Sequence, residues 1–166
     1  MIRDAVMTDV PELRELMARC PLPSYPVVDD ESIGQSIREI TRILQQRLDK
    51  WKVLVVDDGE RLVGYTIMEE CERAIGRPHR FMWWHQMYVE PDHRERSEER
   101  VETYARAMTR TLFRWARERG VEFVEGEAHV GDARWNRRQG HAYAVKHYCV
   151  IADVLDWMER QERLNG

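Results

Sequence analysis

The sequence has no apolar run of membrane-spanning length, and no hydrophobic segment of secretory-leader type near its first residues. A chain that stays in the cytoplasm and off the membrane is therefore expected. Cysteine is scarce: Cys20, Cys71 and Cys149 are odd in number and far apart. That excludes a disulfide framework and reads as reduced thiols. The histidines (His79, His85, His93, His129, His141 and His147) show no helical pairing of metal-site type, so no metal is expected. No excess of positive charge exists to attract nucleic acid, since the net charge is −4. Repeats and low-complexity tracts are missing as well, and the cluster Pro21, Pro23 and Pro26 comes too early to be a linker. What is present is a chain of 166 residues, 43% hydrophobic and 34% charged. This predicts one domain, 1–166, with a sizeable core under a very polar surface.

Local patterns divide the chain into elements. Residues 2–6 read as a short strand. Asp9 and Glu12 have capping-box spacing, and Val10, Leu13, Leu16 and Met17 form the apolar face of a first helix ending near Cys20. A second helix starts near Asp30, with Ile33, Ile37, Ile40, Ile43, Leu44 and Leu48 inward. Two β-rich runs, 51–56 and 62–68, flank the turn Asp57-Asp58-Gly59-Glu60, a hairpin signature whose glycine supplies a positive φ. A loop at 76–79 leads into a strand over 81–89. After the turn Glu90-Pro91-Asp92, a long amphipathic helix is expected over 97–119, closed by Gly120. A strand over 121–130, a short helix over 132–139, a strand or hairpin over 142–151 and a last helix over 153–164 complete the order. Strand 81–89, the long helix and strand 121–130 form a βαβ crossover, which makes those strands a parallel pair, whereas the hairpins make antiparallel ones. The expected class is α/β: a twisted mixed sheet with helices on both faces, in the order β-α-α-β-β-β-α-β-α-β plus a C-terminal helix.

Two stretches carry a resemblance. Tyr88-Val89-Glu90-Pro91-Asp92-His93-Arg94 is similar to a strand end, proline turn and first basic residue. Ala133-Arg134-Trp135-Asn136-Arg137-Arg138-Gln139-Gly140-His141 is similar to a second helix and Gly-aromatic turn. With the element order, they resemble the GNAT family, the Gcn5-related N-acetyltransferases, over nearly the whole chain. The resemblance implies acetyl-CoA as cofactor, with the strand end Met87, Tyr88 and Val89 and the loop residues Arg94, Arg96 and Ser97 as its contacts. The loop departs from the family pattern: Arg94-Glu95-Arg96-Ser97-Glu98-Glu99 has none of the usual glycines. From Asp92 to Glu102 there are five acids against three arginines. Acids in the first turn of a helix are ordinary dipole partners, but these would repel a pyrophosphate.

Acyl transfer to an amine needs a proton acceptor near the cofactor, and His85 and Glu90 are the candidates on the central strand. Two plainer readings stay open: His85 packed among Trp83, Trp84 and Met87, and Glu90 as a solvent-facing strand-end acid. The tyrosine that many family members use as general acid is replaced by Asn136. Tyr143 is the candidate substitute, with Tyr148 also nearby and simple strand packing as the alternative for both. Trp83 and Trp84, being adjacent, should face opposite sides of the sheet. Arg106, Arg110, Arg114 and Arg117 read as a solvated stripe or a contact for an acidic partner, with Glu102 placed to pair with Arg106. Two functions follow. One is an acetyl-CoA-dependent N-acyltransferase acting on a small-molecule or protein amine. The alternative is a catalytically inactive GNAT-fold protein, of the kind phage genomes also carry, serving as a binding or assembly component. A homo-oligomer or a place in a larger assembly is expected in either case.

Overall fold

The computed structural model describes residues 1–19, 30–73, 79–94, 103–129 and 144–165. Its centre is a six-stranded sheet whose strands lie in sequence order: β1 (Ile2–Asp4), β2 (Trp51–Asp57), β3 (Leu62–Arg73), β4 (His79–Val89), β5 (Phe123–His129) and β6 (Ala144–Val150). All neighbours are antiparallel except β4 and β5, which are parallel. That exception is where the helix α3 (Tyr104–Glu118) connects consecutive strands, as expected of a crossover. The hairpin tip is where the sequence puts it: Gly59 has φ +103, a conformation that costs glycine little. Asp57 and Asp58 accept the backbone N–H groups of Gly59, Glu60 and Arg61, each at 2.9 Å.

Alternation along β2 divides the core in two. Val53 and Val55 pack with Leu13 and Leu16 of α1 (Val10–Arg19) and with Ile33, Ile40 and Ile43 of α2 (Asp30–Gln46). Leu54 packs on the other face with Leu112, Phe113 and Ala116 of α3 and Ile151 and Leu155 of α4 (Ile151–Asn165). The adjacent tryptophans divide as well. Trp84 sits edge-on to Phe113 on the α3 side, 5.9 Å between ring centroids, and its Nε1 donates to Thr66 Oγ1 at 2.8 Å. Trp83 lies edge-on to His85 on the opposite face.

Several boundaries move. β3 runs on to Arg73, past residue 68, paired with β4 all the way. β1 is shorter than residues 2–6, and α4 begins at Ile151, directly after β6. Asp9 does not box with Glu12. Its carboxylate accepts the Val6 N–H at 2.8 Å and pairs with Arg3, while Glu12 accepts the Leu62 N–H at 2.6 Å and fastens α1 to the hairpin. The largest shift is in α3. Thr103 is extended (φ −69, ψ 152) and its side chain accepts the Arg106 N–H, so the helix starts at Tyr104, not Ser97, and its first turn holds no acid. Arg106 is no plain surface cation either: it lies over the Trp157 ring at 5.3 Å and donates to the Met158 carbonyl at 3.0 Å, joining α3 to α4. The helix expected over 132–139, and Glu102, lie outside the described residues.

Candidate active site at the parting of β4 and β5

The parallel pair is short. β4 and β5 pair at Met82 with Val124, Trp83 with Glu125 and Trp84 with Gly126, and at no later position. β5 continues to His129 in register with β6. From His85 onward, β4 therefore keeps β3 as its partner while β5 leaves its other edge.

An irregularity marks the same point. Across β3, Met68 faces Trp84 and Ile67 faces Gln86, so His85 is an extra residue, a β-bulge. Trp84 and Met87 both pack on the α3 side, which turns the two residues between them, His85 and Gln86, to the α1/α2 side. Sequence alternation alone misses this, because period 2 fails at a bulge.

Beyond the bulge the ladder geometry decides which backbone groups face the vacated edge. The Glu90 N–H donates to the Val63 carbonyl at 2.8 Å, with Val89 opposite Gly64. Val89 and Gly64 are then a non-hydrogen-bonded pair, as are Met87 and Thr66 two residues back. The N–H and C=O groups of Met87 and Val89 accordingly point away from β3, towards the gap. Arg94 bears this out: its Nε donates to the Val89 carbonyl at 2.8 Å while its guanidinium lies 5.7 Å from the Tyr88 ring centroid. Close approach of β3 and β4 here requires Gly64, where a Cβ would stand 2.9 Å from the Tyr88 carbonyl oxygen. Tyr88 itself is buried in the α1/α2 core, tilted against Tyr65.

The two candidate proton acceptors, His85 in β4 and Glu90 just past its end, have unlike surroundings. Glu90 is buried, and its carboxylate takes hydrogen bonds from Arg61 at 2.8 Å and from Arg19 at 3.0 Å. Arg61, against the opposing effect of burial and with help from Arg19, holds it below the usual carboxylate range. It is neither solvent-facing nor inclined to take a proton: it ties α1, the hairpin and the end of β4 together. His85 is exposed, yet held in place on two sides. Its ring is stacked on Trp51, 5.0 Å between centroids and 18° between planes, and its Nε2 lies 3.0 Å from Glu69 Oε2. Glu69 is the direct cross-strand neighbour of Trp51, so three adjacent strands, β2, β3 and the bulged β4, assemble the group. The neighbouring side of α2 carries Glu39 and Arg42, which are hydrogen-bonded to each other, and Arg42 holds the Glu39 carboxyl below its ordinary range.

His85 and the strand end Met87–Val89 are thus brought to one place, and Arg94 reaches it through its side chain. Tyr143, Arg96 and Ser97 lie outside the described residues, as does Asn136. Glu69 is absent from a reading of the sequence, although its alternation with Tyr65 and Ile67 places it on the right face. Buried Glu125, paired with Arg73 at 2.7 Å, escapes notice in the same way. Among the described residues, no group of three or more metal-ligating side chains is gathered, and no helix is long and apolar enough to cross a membrane.

The sequence matches the acetyltransferase (GNAT) family over residues 10–136, and the chain belongs to that family. Solved structures share the architecture. A predicted acetyltransferase from Clostridium acetobutylicum, crystallised with acetyl-CoA, superposes with a TM-score of 0.61 at 15% identity, covering 85% of this chain and 88% of that one. Glucosamine-6-phosphate N-acetyltransferase from Arabidopsis thaliana gives 0.57 at 13% identity, with coverage of 87% and 92%. A protein described as a transcriptional regulator from Bacillus halodurans gives 0.60 at 13% identity, with coverage of 89% and 95%. At such identities the likeness is one of fold. No curated protein matches the sequence.

Proposed function

We propose that this protein is an acetyl-CoA-dependent N-acyltransferase acting on a primary amine. The observation that carries the reading is the coincidence of the vacated β4 edge with an exposed but anchored histidine at its apex. The residues present suit the cofactor. The Met87 and Val89 backbone groups form a strand edge on which an extended, amide-bearing arm can lie as an added strand. Arg94, at the end of that edge, is the cation placed for a phosphate. Bound acetyl-CoA supplies an activated acetyl thioester.

His85 takes the proton that the amine must lose to become a nucleophile. Glu90 holds the turn that follows β4, since a carboxylate fixed between two arginines has little affinity for a proton. Arg96 and Ser97 as phosphate contacts, and Tyr143 as proton donor, rest on the family resemblance and belong to the same proposal.

Calorimetric titration with acetyl-CoA tests the reading, alongside thermal denaturation. Binding at about 100 Kd stabilises the fold by roughly 2.7 kcal/mol. With an amine acceptor found by screening, His85→Ala lowers turnover about 10²- to 10⁴-fold. The absence of both heat and a thermal shift at millimolar acetyl-CoA would overturn the proposal.

A further inference from the structure

The second ring nitrogen of His85 bears directly on how the site is arranged. A carboxylate can only accept a hydrogen bond. With Nε2 at 3.0 Å from Glu69 Oε2, the neutral imidazole must carry its proton on Nε2, leaving the Nδ1 lone pair for the reaction. Stacking on Trp51 fixes the plane of the same ring.

We infer that Glu69 is a positioning residue: it holds His85 in the Nε2–H tautomer, so that Nδ1 is the nitrogen that accepts the proton from the acceptor amine. The inference rests on the acyltransferase reading above and adds to it the partner and the nitrogen. The proton balance closes within the group. The amine N–H bond breaks, its proton forms a bond to Nδ1, and the imidazolium so formed keeps its Nε2–H bond to the Glu69 carboxylate. The positive charge then lies between that carboxylate and the face of the Trp51 indole, both of which favour it. The imidazolium returns the proton to water, since His85 keeps 36% of its side chain exposed. Glu39 and Arg42 on α2 are occupied with each other, which leaves Glu69 as the carboxylate hydrogen-bonded to the ring.

The test is long-range proton–nitrogen correlation NMR on the full chain, without cofactor or acceptor. In the neutral form the His85 ring should show a protonated Nε2 and a bare Nδ1. Glu69→Gln, nearly isosteric, offers an amide that can donate to Nε2, and should shift the ring towards the Nδ1–H tautomer. Glu69→Asp, which keeps an acceptor, should retain Nε2–H. A wild-type ring protonated on Nδ1, or one whose tautomer Glu69→Gln leaves unchanged, would overturn the inference.

The catalytic arm measures CoA release from acetyl-CoA with tryptamine and with spermidine as amine probes. Glu69→Gln should lower kcat about 10²-fold with KM for acetyl-CoA unchanged; an effect on KM alone would count as structural and also overturn it. Failure of the wild-type protein to bind acetyl-CoA in the calorimeter strikes the acyltransferase reading instead. The tautomer measurement needs no ligand and reports in every case.

Discussion

The two halves of β4 make opposite use of the same kind of strand. From His79 to Trp84 the strand has β3 along one edge, and over Met82–Trp84 it has β5 along the other; Met82 is fully buried there. From His85 to Val89 it has β3 alone, a bulge, and backbone groups aimed into a gap. Both halves are aromatic and apolar in sequence, so composition does not separate them. What separates them is whether β5 stays. Each half buries two residues, Phe81 and Met82 in the first and Tyr88 and Val89 in the second, but only the second turns free strand-edge backbone and an exposed ring, His85, away from that buried base. Chemistry belongs where the ladder stops.

The sharpest way to break this comparison is to mutate neighbouring residues on either side of the boundary. Trp84→Ala removes a ring packed on Phe113 and a hydrogen bond to Thr66, and should cost about 3–5 kcal/mol in urea denaturation. His85→Ala, one residue on, removes an exposed ring and should cost less than about 1 kcal/mol while lowering turnover about 10²- to 10⁴-fold. Comparable stability losses at the two positions would show that the boundary at His85 is not a boundary between core and site.

The two candidate proton acceptors sharpen it further. Glu90→Gln removes the charge that Arg61 and Arg19 converge on. Because both arginines are themselves half-exposed, the expected loss is about 1–3 kcal/mol, below that of a fully buried pair. The pH dependence has a definite sign. Arg61 above all holds the folded-state pKa of Glu90 below its unfolded value, so the stabilisation is full above pH about 4.5 and fades as pH falls through the folded value. Wild type and Glu90→Gln should thus differ by a constant amount from pH 5 to 8 and converge in acid. A gap that stays constant down to pH 3 would show that the arginines do not set the proton affinity of Glu90.

The start of α3 supplies a smaller test and a lesson in what the sequence conceals. Thr103→Ala should cost about 1 kcal/mol in urea denaturation through loss of the N-cap, and an unchanged midpoint would show that Thr103 does not cap the helix. The amphipathic pattern misplaces the start because Val101 fits the inward spacing and outweighs a threonine two residues on. Elsewhere, periodicity recovers the elements well: the isoleucines of α2, the Asp-Gly hairpin and the parallel β4–β5 pair are all legible, since each is a local pattern with one physical solution. The site is only half legible. His85 and the strand end stand out by position, but Glu69, the bulge and the Arg94 contact depend on register between strands, which no local pattern encodes. Glu90 looks like a candidate base for the same reason: nothing near it in sequence announces Arg19 and Arg61.

The expected effect at Arg94 is comparably small and has two signs. Its Nε occupies the Val89 carbonyl, one of the strand-edge groups on which an extended cofactor arm would lie. An arm that takes this carbonyl must displace the arginine, and the released guanidinium is then available to a phosphate. Arg94→Ala should therefore tighten binding of acetyl-pantetheine, which has no phosphate, because the edge no longer has to be cleared. The same change should weaken acetyl-CoA binding, because the lost charge-assisted contact exceeds the saving at the edge. Each shift corresponds to one hydrogen bond, about 0.5–1.5 kcal/mol, or roughly two- to tenfold in Kd by calorimetry. Equal weakening of both ligands would mean that Arg94 supports the strand end and does not block it. Equal tightening would mean that it blocks the edge and never reaches a phosphate.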